Sequence, residues 1–145
     1  MTVVGVLLWA SWPRSTRLTP GQHEELGRLA GHFEGVASNN IPLATPWEIV
    51  WRADFSTNNA GQLLCTCAPV LDQNSLAGKA LFVEIVPLQY QDSGKPGYVE
   101  VAAGKSVNGN GWRIYAEDSV LKSGREIDSV LMDDDDYGQC LLNRR

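Results

Sequence analysis

The chain has 145 residues, of which 43% are hydrophobic and 20% are charged, a mix that excludes a disordered chain. Its formal net charge of -5 disfavours attraction to nucleic acid or to an anionic membrane, which leaves neutral or basic partners. A chain of this length is expected to form a single α+β domain over residues 1–145.

The N-terminal part of the chain predicts a buried strand followed by the main helix. The apolar run at residues 3–9 is too short to span a bilayer and follows no basic residue, so it indicates a strand. Thr19 and Gln22 have the spacing of a capping box, and Pro20 stands at the first helical position. The predicted helix covers residues 20–34, with an apolar stripe formed by Leu26, Leu29, Ala30 and Phe33.

Three glycines recur at every fourth residue of this predicted helix, at Gly27, Gly31 and Gly35. An interior glycine costs about 1 kcal/mol relative to alanine, so the strip indicates the close approach of another backbone. Two interpretations stay open. The helix packs closely on its own sheet, or it forms a helix–helix seam between two copies of the chain.

Residues 47–55 alternate between two faces with the period of a strand. One face carries Trp47, Ile49, Trp51, Ala53 and Phe55. The other face carries Glu48, Val50, Arg52 and Asp54. Aromatic rings bury more area than other side chains, so this strand predicts a sheet with a substantial core beneath it.

The second half of the chain predicts further strands. Residues 63–68 read as a strand, and the near-continuous apolar run at residues 80–88 indicates a central strand. Residues 98–107 and 112–117 are predicted as the two arms of a hairpin, because two Asn-Gly pairs lie between them. Residues 139–143 are expected to form a last short strand.

Motifs for metals and cofactors are incomplete. Gly104-Lys105-Ser106 lacks the earlier glycine of a phosphate-binding loop, because Val99 stands at that place. The acidic run at residues 133–136 lacks the later bidentate glutamate of a calcium loop and predicts a solvated turn. We therefore expect no cofactor and no bound metal.

The cysteines Cys65, Cys67 and Cys140 are odd in number and do not suggest a disulfide framework. Cys65 and Cys67 would share one face of a strand, which favours small buried apolar groups, with a metal or redox pair as the alternative. A reducing, cytoplasmic location is the expectation.

Polar groups on the wet faces of the predicted strands form the candidate ligand-binding site. They are Glu48, Arg52, Glu84, Glu100, Arg113 and Tyr115. If the strands pair antiparallel, these groups project from one face. Glu84 lies in an apolar run, where desolvation would favour its neutral form and suit general acid–base chemistry. The competing interpretation is a solvated face whose charges pair across strands.

These patterns predict an α+β fold with about five or six mostly antiparallel strands and one amphipathic helix packed on one face. The preferred function is a small, acidic, soluble, non-enzymatic binding module for a protein partner or a small ligand. One alternative is a metal-free enzyme of isomerase or hydrolase type that uses Glu84 with Arg52 or Arg113, and another is a structural subunit that forms a homodimer. A pocket over Glu84 would favour a ligand or an enzyme, whereas a flat apolar patch elsewhere would favour a protein partner.

Overall fold

Nine antiparallel strands form one continuous sheet in the computed structural model, which describes residues 17–38, 48–71, 84–105, 111–135 and 138–145. The strands are β1 (Gly31–Ser38), β2 (Glu48–Thr57), β3 (Leu63–Leu71), β4 (Glu84–Pro87), β5 (Gln91–Asp92), β6 (Tyr98–Lys105), β7 (Gly111–Glu117), β8 (Ser129–Asp134) and β9 (Gly138–Arg144). The helices in these residues are α1 (Pro20–Gly27) and α2 (Asp118–Ser123). The strand order across the sheet is β4-β3-β2-β1-β9-β8-β7-β6-β5.

The sheet curls into a half-barrel, and the segment after β4 connects its two ends. The Leu88 N–H donates to the Leu63 carbonyl in β3 at 3.0 Å. The next residue, Gln89, donates its N–H to the Val101 carbonyl in β6 at 2.9 Å. These two hydrogen bonds bring strands from opposite ends of the sheet close together.

The core fills the inner face of the curl. The dry face expected for the aromatic strand is confirmed for Trp51, Ala53 and Phe55 in β2, which are buried while Arg52 is exposed. Trp47 and the side chain of Ile49 lie outside the described residues. Phe33 from β1 meets Phe55 edge to face, with ring centroids 5.4 Å apart. Further buried members come from the later strands, namely Val99, Val101, Trp112, Ile114, Val130, Met132, Cys140 and Leu142.

The predicted helix over residues 20–34 begins as expected but ends early. The Thr19 Oγ1 accepts from the Gln22 N–H at 3.1 Å, and the Gln22 Oε1 accepts from the Thr19 N–H at 3.1 Å, so the capping box is confirmed. Helix α1 nevertheless ends at Gly27, and β1 starts at Gly31, whose φ of 137° is not helical. Leu26 in the helix and Phe33 in the following strand are both buried. The apolar spacing therefore marked buried positions correctly, although only the first of them is helical.

Gly35 allows β1 and β9 to approach closely. A Cβ atom at Gly35 would collide with the Leu141 carbonyl oxygen and would lie 2.8 Å from the Leu142 Cδ2 and 2.9 Å from the Cys140 Sγ. The glycine strip therefore does mark a close approach at this position, but between two strands. Because β1 replaces the second half of the predicted helix, neither helical interpretation of the strip holds at Gly35.

The predicted α+β class with about five or six strands and one main helix is wrong, because the described residues are mostly sheet with two short helices. The hairpin is confirmed as β6 and β7, which pair from Tyr98 opposite Glu117 to Lys105 opposite Gly111. The acidic run belongs in part to β8, where Asp134 is buried. Strand β4 lies at the end of the described sheet and is not central. The predicted strand at residues 3–9 lies outside the described residues.

Arg144 joins the end of β9 to the link between α1 and β1. Its Nη1 donates to the Ala30 carbonyl at 2.7 Å and its Nη2 to the Arg28 carbonyl at 3.0 Å. Its Nε donates to the Ile127 carbonyl at 2.8 Å, and its Cζ lies 4.6 Å from the centroid of the Phe33 ring. Three carbonyl groups from two distant segments thus depend on one guanidinium.

Among the described residues, no helix has both the length and the apolar character needed to cross a bilayer.

Candidate functional site

Three of the six predicted site residues come together on the outer face of β6 and β7. Glu100 lies opposite Tyr115 in the strand register, and the Arg113 Nε lies 3.6 Å from the Glu100 Oε1. The Gln89 Nε2 donates to the other carboxylate oxygen of Glu100 at 2.6 Å. We call Gln89, Glu100, Arg113 and Asp135 the charged cluster.

Asp135 closes the charged cluster on the far side of Arg113. The Arg113 Nη1 lies 3.7 Å from the Asp135 Oδ1. The Asp135 Oδ2 accepts from the Gly111 N–H at 2.9 Å, and the Asp135 N–H donates to the Gly111 carbonyl at 3.0 Å. Arg113 is therefore held between two carboxylates whose positions are set by other hydrogen bonds.

Tyr115 points to the outer face but is only 4% exposed. The Lys95 Nζ lies 5.6 Å from the centroid of its ring. Burial raises the pKa of the Tyr115 phenol; Arg113 partly opposes this rise, whereas the negative charges of Glu100, Asp133 and Asp135 add to it. The phenol is therefore neutral at physiological pH.

The other predicted site residues do not join this cluster in the described structure. Arg52 lies on the outer face of β2, separated from β7 by three strands, and its Nε is 3.3 Å from the Glu34 Oε1 in β1. Glu48 and Glu84 begin β2 and β4, and the predictions made for their side chains lie outside the described residues. The nine-stranded sheet is the physical reason for the separation, because it inserts β1, β9 and β8 between β2 and β7.

The charged cluster has the character of a cross-strand ion-pair network. Glu100 is 15% exposed, and both of its oxygens face a partner, Arg113 on one side and Gln89 on the other. Arg113 keeps 43% of its side chain exposed but has a carboxylate at each end. Such mutual satisfaction lowers the residual charge available to a ligand. No group of three or more His, Cys, Asp or Glu in the described residues could hold a metal ion.

The cysteines have the environment of buried apolar groups. Cys65, Cys67 and Cys140 are buried and form no disulfide bond. Burial raises the pKa of the Cys65 thiol, with a further contribution from Asp54, and burial also raises the pKa of the Cys140 thiol. A thiol that keeps its proton is a poor nucleophile and a poor metal ligand.

An exposed apolar row on the outer face was missed in the sequence. Val36 in β1 pairs with Val50 in β2, and Leu141 in β9 pairs with Leu131 in β8. Strands β1 and β9 are antiparallel neighbours, and Glu34 pairs with Asn143. Val36 and Leu141 each lie two residues beyond that pair, so they lie opposite each other on the same face. We call Val50, Val36, Leu141 and Leu131 the outer apolar row.

The outer apolar row breaks the polar character of its face. Val36 is 54% exposed and Leu141 is 55% exposed, whereas Val50 and Leu131 are half-buried. The outer face of an antiparallel sheet normally carries polar side chains. The signal that could have revealed the row is the apolar residue Val36 in the polar register of His32 and Glu34, which becomes visible only if residues 31–38 are assigned to a strand.

Comparisons of the chain with protein-family models, with curated proteins and with solved structures find no match. Function is therefore inferred from the geometry of the chain alone.

Proposed function

We propose that this chain is a non-enzymatic binding module that recognises a protein partner through the outer apolar row. The observation that carries this proposal is the exposure of Val36 and Leu141 near the middle of the sheet, at 54% and 55%. Contiguous exposed apolar side chains with polar surroundings are typical of protein interaction sites. Arg52, Glu34 and Asn143 provide a polar border on one side of the row.

The charge and shape of the chain suggest the chemistry of the partner. The net charge of -5 favours a partner with a net positive charge, which accelerates encounter and disfavours other acidic proteins. The row lies on the outer, convex side of a curled sheet, so a concave partner surface would cover it best. The three buried cysteines form no disulfide bond, which fits a reducing compartment, and we propose the cytoplasm as the location.

The enzyme alternative receives no support from the described residues. It required Arg52 or Arg113 to serve Glu84, yet Arg52 is paired with Glu34 and Arg113 with Glu100 and Asp135. No observation favours it over the binding module, and it stays an untested prediction.

The test compares the double variant Val36→Asp/Leu141→Asp with Ile85→Asp. Ile85 is the matched control because it is 63% exposed on β4, at the end of the sheet, away from the row. Proteins captured by the wild type are identified and purified, and their dissociation constants are measured against all three forms. We expect the double variant to weaken binding by at least about tenfold, since charged groups in an apolar contact are poorly solvated.

Three outcomes contradict the proposal. The wild type binds no protein, the double variant binds as tightly as the wild type, or Ile85→Asp weakens binding equally. Sedimentation of the free chain provides a further check. If the wild type self-associates and only the double variant is monomeric, the surface binds a second copy and the separate partner is wrong.

A further inference from the structure

A cleft distinct from the outer apolar row opens between the segment around β5 and the start of α2. Its volume is about 550 Å³, and its walls include Tyr90, Asp92, Lys95, Tyr98 and Asp118. The cleft is shallow and open to solvent, and its volume is large enough for a small ligand. Neither Val36 nor Leu141 lines it.

The turn that forms one wall of the cleft is held by its own hydrogen bonds. The Ser93 Oγ donates to the Tyr98 carbonyl at 2.7 Å and accepts from the Lys95 N–H at 2.9 Å. The Asp118 N–H donates to the Gly97 carbonyl at 2.9 Å, which attaches the turn to α2. A wall built in this way loses little conformational freedom when a ligand binds.

The charges around the cleft have a small negative excess, because the three carboxylates of Asp92, Asp118 and Glu25 stand against the two ammonium groups of Lys95 and Lys122. Asp92 and Asp118 supply two carboxylates, and the one lysine in the wall, Lys95, has its ammonium 5.6 Å from the centroid of Tyr115, a residue that does not line the cleft. The Asp118 Oδ2 accepts from Lys122 at 3.1 Å, and its Oδ1 accepts from the Tyr90 hydroxyl at 3.3 Å.

Tyr90 supplies an aromatic ring to the wall of the cleft, and its hydroxyl lies near the carboxylates of Glu25 and Asp118. Burial raises the pKa of the Tyr90 phenol, and hydrogen bonding to Glu25 and the negative charges of Glu25 and Asp118 raise it further. A phenol that keeps its proton donates to only one carboxylate at a time. Asp118 thus accepts one hydrogen bond at each carboxylate oxygen, from Tyr90 and from Lys122, and each oxygen keeps a second acceptor site for a ligand.

We propose that this cleft binds an organic cation, an ammonium or guanidinium group, between the Tyr90 and Tyr98 side chains and the carboxylates of Asp92 and Asp118. Aromatic rings and carboxylates around one concavity are the chemistry that recognises such cations. The cation is either a Lys or Arg side chain of a protein partner or a free amine. This inference does not depend on the outer apolar row.

The experiment uses the full chain labelled with ¹⁵N and titrated with N-acetyl-arginine amide. N-acetyl-citrulline amide is the matched neutral probe, because it has nearly the same shape without the charge. We expect saturable shifts of the Gly94, Gly97 and Tyr98 amides with the arginine probe alone. Asp92→Asn/Asp118→Asn should weaken its binding by about tenfold or more.

Asp128→Asn is the control variant, because it removes one exposed carboxylate that lies outside the cleft. It should bind the arginine probe as the wild type does, and melting curves check that the cleft variant is folded. The proposal is overturned if no saturable shift occurs, if the citrulline probe gives equal shifts, or if the cleft variant binds the arginine probe unchanged.

A second arm separates the two sources of the cation and the two proposals. If the arginine probe displaces a purified protein partner, the cation belongs to that partner; if both bind together, the cleft serves a free amine. Val36→Asp/Leu141→Asp should leave probe binding unchanged. The two proposals are therefore tested independently. A negative result for the cleft does not contradict binding at the outer apolar row, and a negative result for the row does not contradict binding in the cleft.

Discussion

The inner and outer faces of the sheet follow the same alternation but depart from it in different ways. The inner face is mostly apolar, and one of its charged exceptions, Arg144, donates hydrogen bonds to three carbonyl groups of the same chain. The outer face is mostly polar, and its apolar exceptions include the neighbours Val36 and Leu141, which are both more than half exposed. Arg144 thus stabilises the fold itself, whereas Val36 and Leu141 remain exposed and can contact a partner.

The largest stability effect should come from the inner face of β2. Trp51 is 3% exposed, so Trp51→Ala should lower the free energy of unfolding by about 3–5 kcal/mol, the usual range for a buried large ring. Val50→Ala, on the opposite face of the same strand, should cost less than about 1 kcal/mol. Chemical denaturation of both variants measures the difference, and equal losses would show that the two faces are assigned wrongly.

Replacing Arg144, the arginine of the inner face, should lower the free energy of unfolding by nearly as much. Arg144→Met leaves the carbonyls of Arg28, Ala30 and Ile127 without their donor, and we expect a loss of about 2–4 kcal/mol. Arg145→Met is the control, because Arg145 is 70% exposed and should matter by less than about 0.5 kcal/mol. Urea denaturation compares the two, and similar midpoints would contradict the role given to Arg144.

Gly35 should tolerate no side chain. Gly35→Ala places a methyl group against β9, so it should destabilise the protein by about 1–3 kcal/mol through overpacking. Gly21→Ala is the matched control, because a Cβ at Gly21 in α1 meets no atom within 4 Å. The control should be neutral or slightly stabilising. If thermal melting shows the same change for both variants, β1 and β9 are not in close contact at Gly35.

The buried tyrosine of the outer face should produce a smaller, pH-dependent effect. Because the Tyr115 pKa is raised in the folded protein, the folded state holds the proton more tightly than the unfolded chain does. Its contribution is complete below about pH 10, the ordinary tyrosine pKa, and is lost as pH rises through the folded value. The stability difference between wild type and Tyr115→Phe should therefore stay constant up to about pH 9 and shrink or reverse as the pH rises above about 10. A constant difference in urea midpoints would show that Tyr115 titrates normally.

The parts predicted correctly from the sequence depend on neighbours along the chain. The capping box of Thr19 and Gln22 lies within one helical turn, and β2 shows its alternation directly. The hairpin strands β6 and β7 are adjacent, and this brings Glu100 and Arg113 together.

The parts missed depend on pairing between distant segments. The burial of Leu26 and Phe33 fits a continuous helix as well as a helix followed by a strand, and local spacing could not separate the two. Arg52 pairs with Glu34 because β1 is a strand beside β2. The outer apolar row draws its four members from four strands, and its existence depends on the register between β1 and β9.

The most direct test of the outer apolar row measures the solvent exposure of its methyl groups in the free chain and in the complex with the partner. A soluble paramagnetic agent broadens the methyl signals that contact water. We predict strong broadening of Val36, Leu141 and Ile85 in the free chain, with protection of Val36 and Leu141 alone in the complex. Unchanged broadening of Val36 and Leu141 in the complex would contradict the account, because the partner would then bind elsewhere.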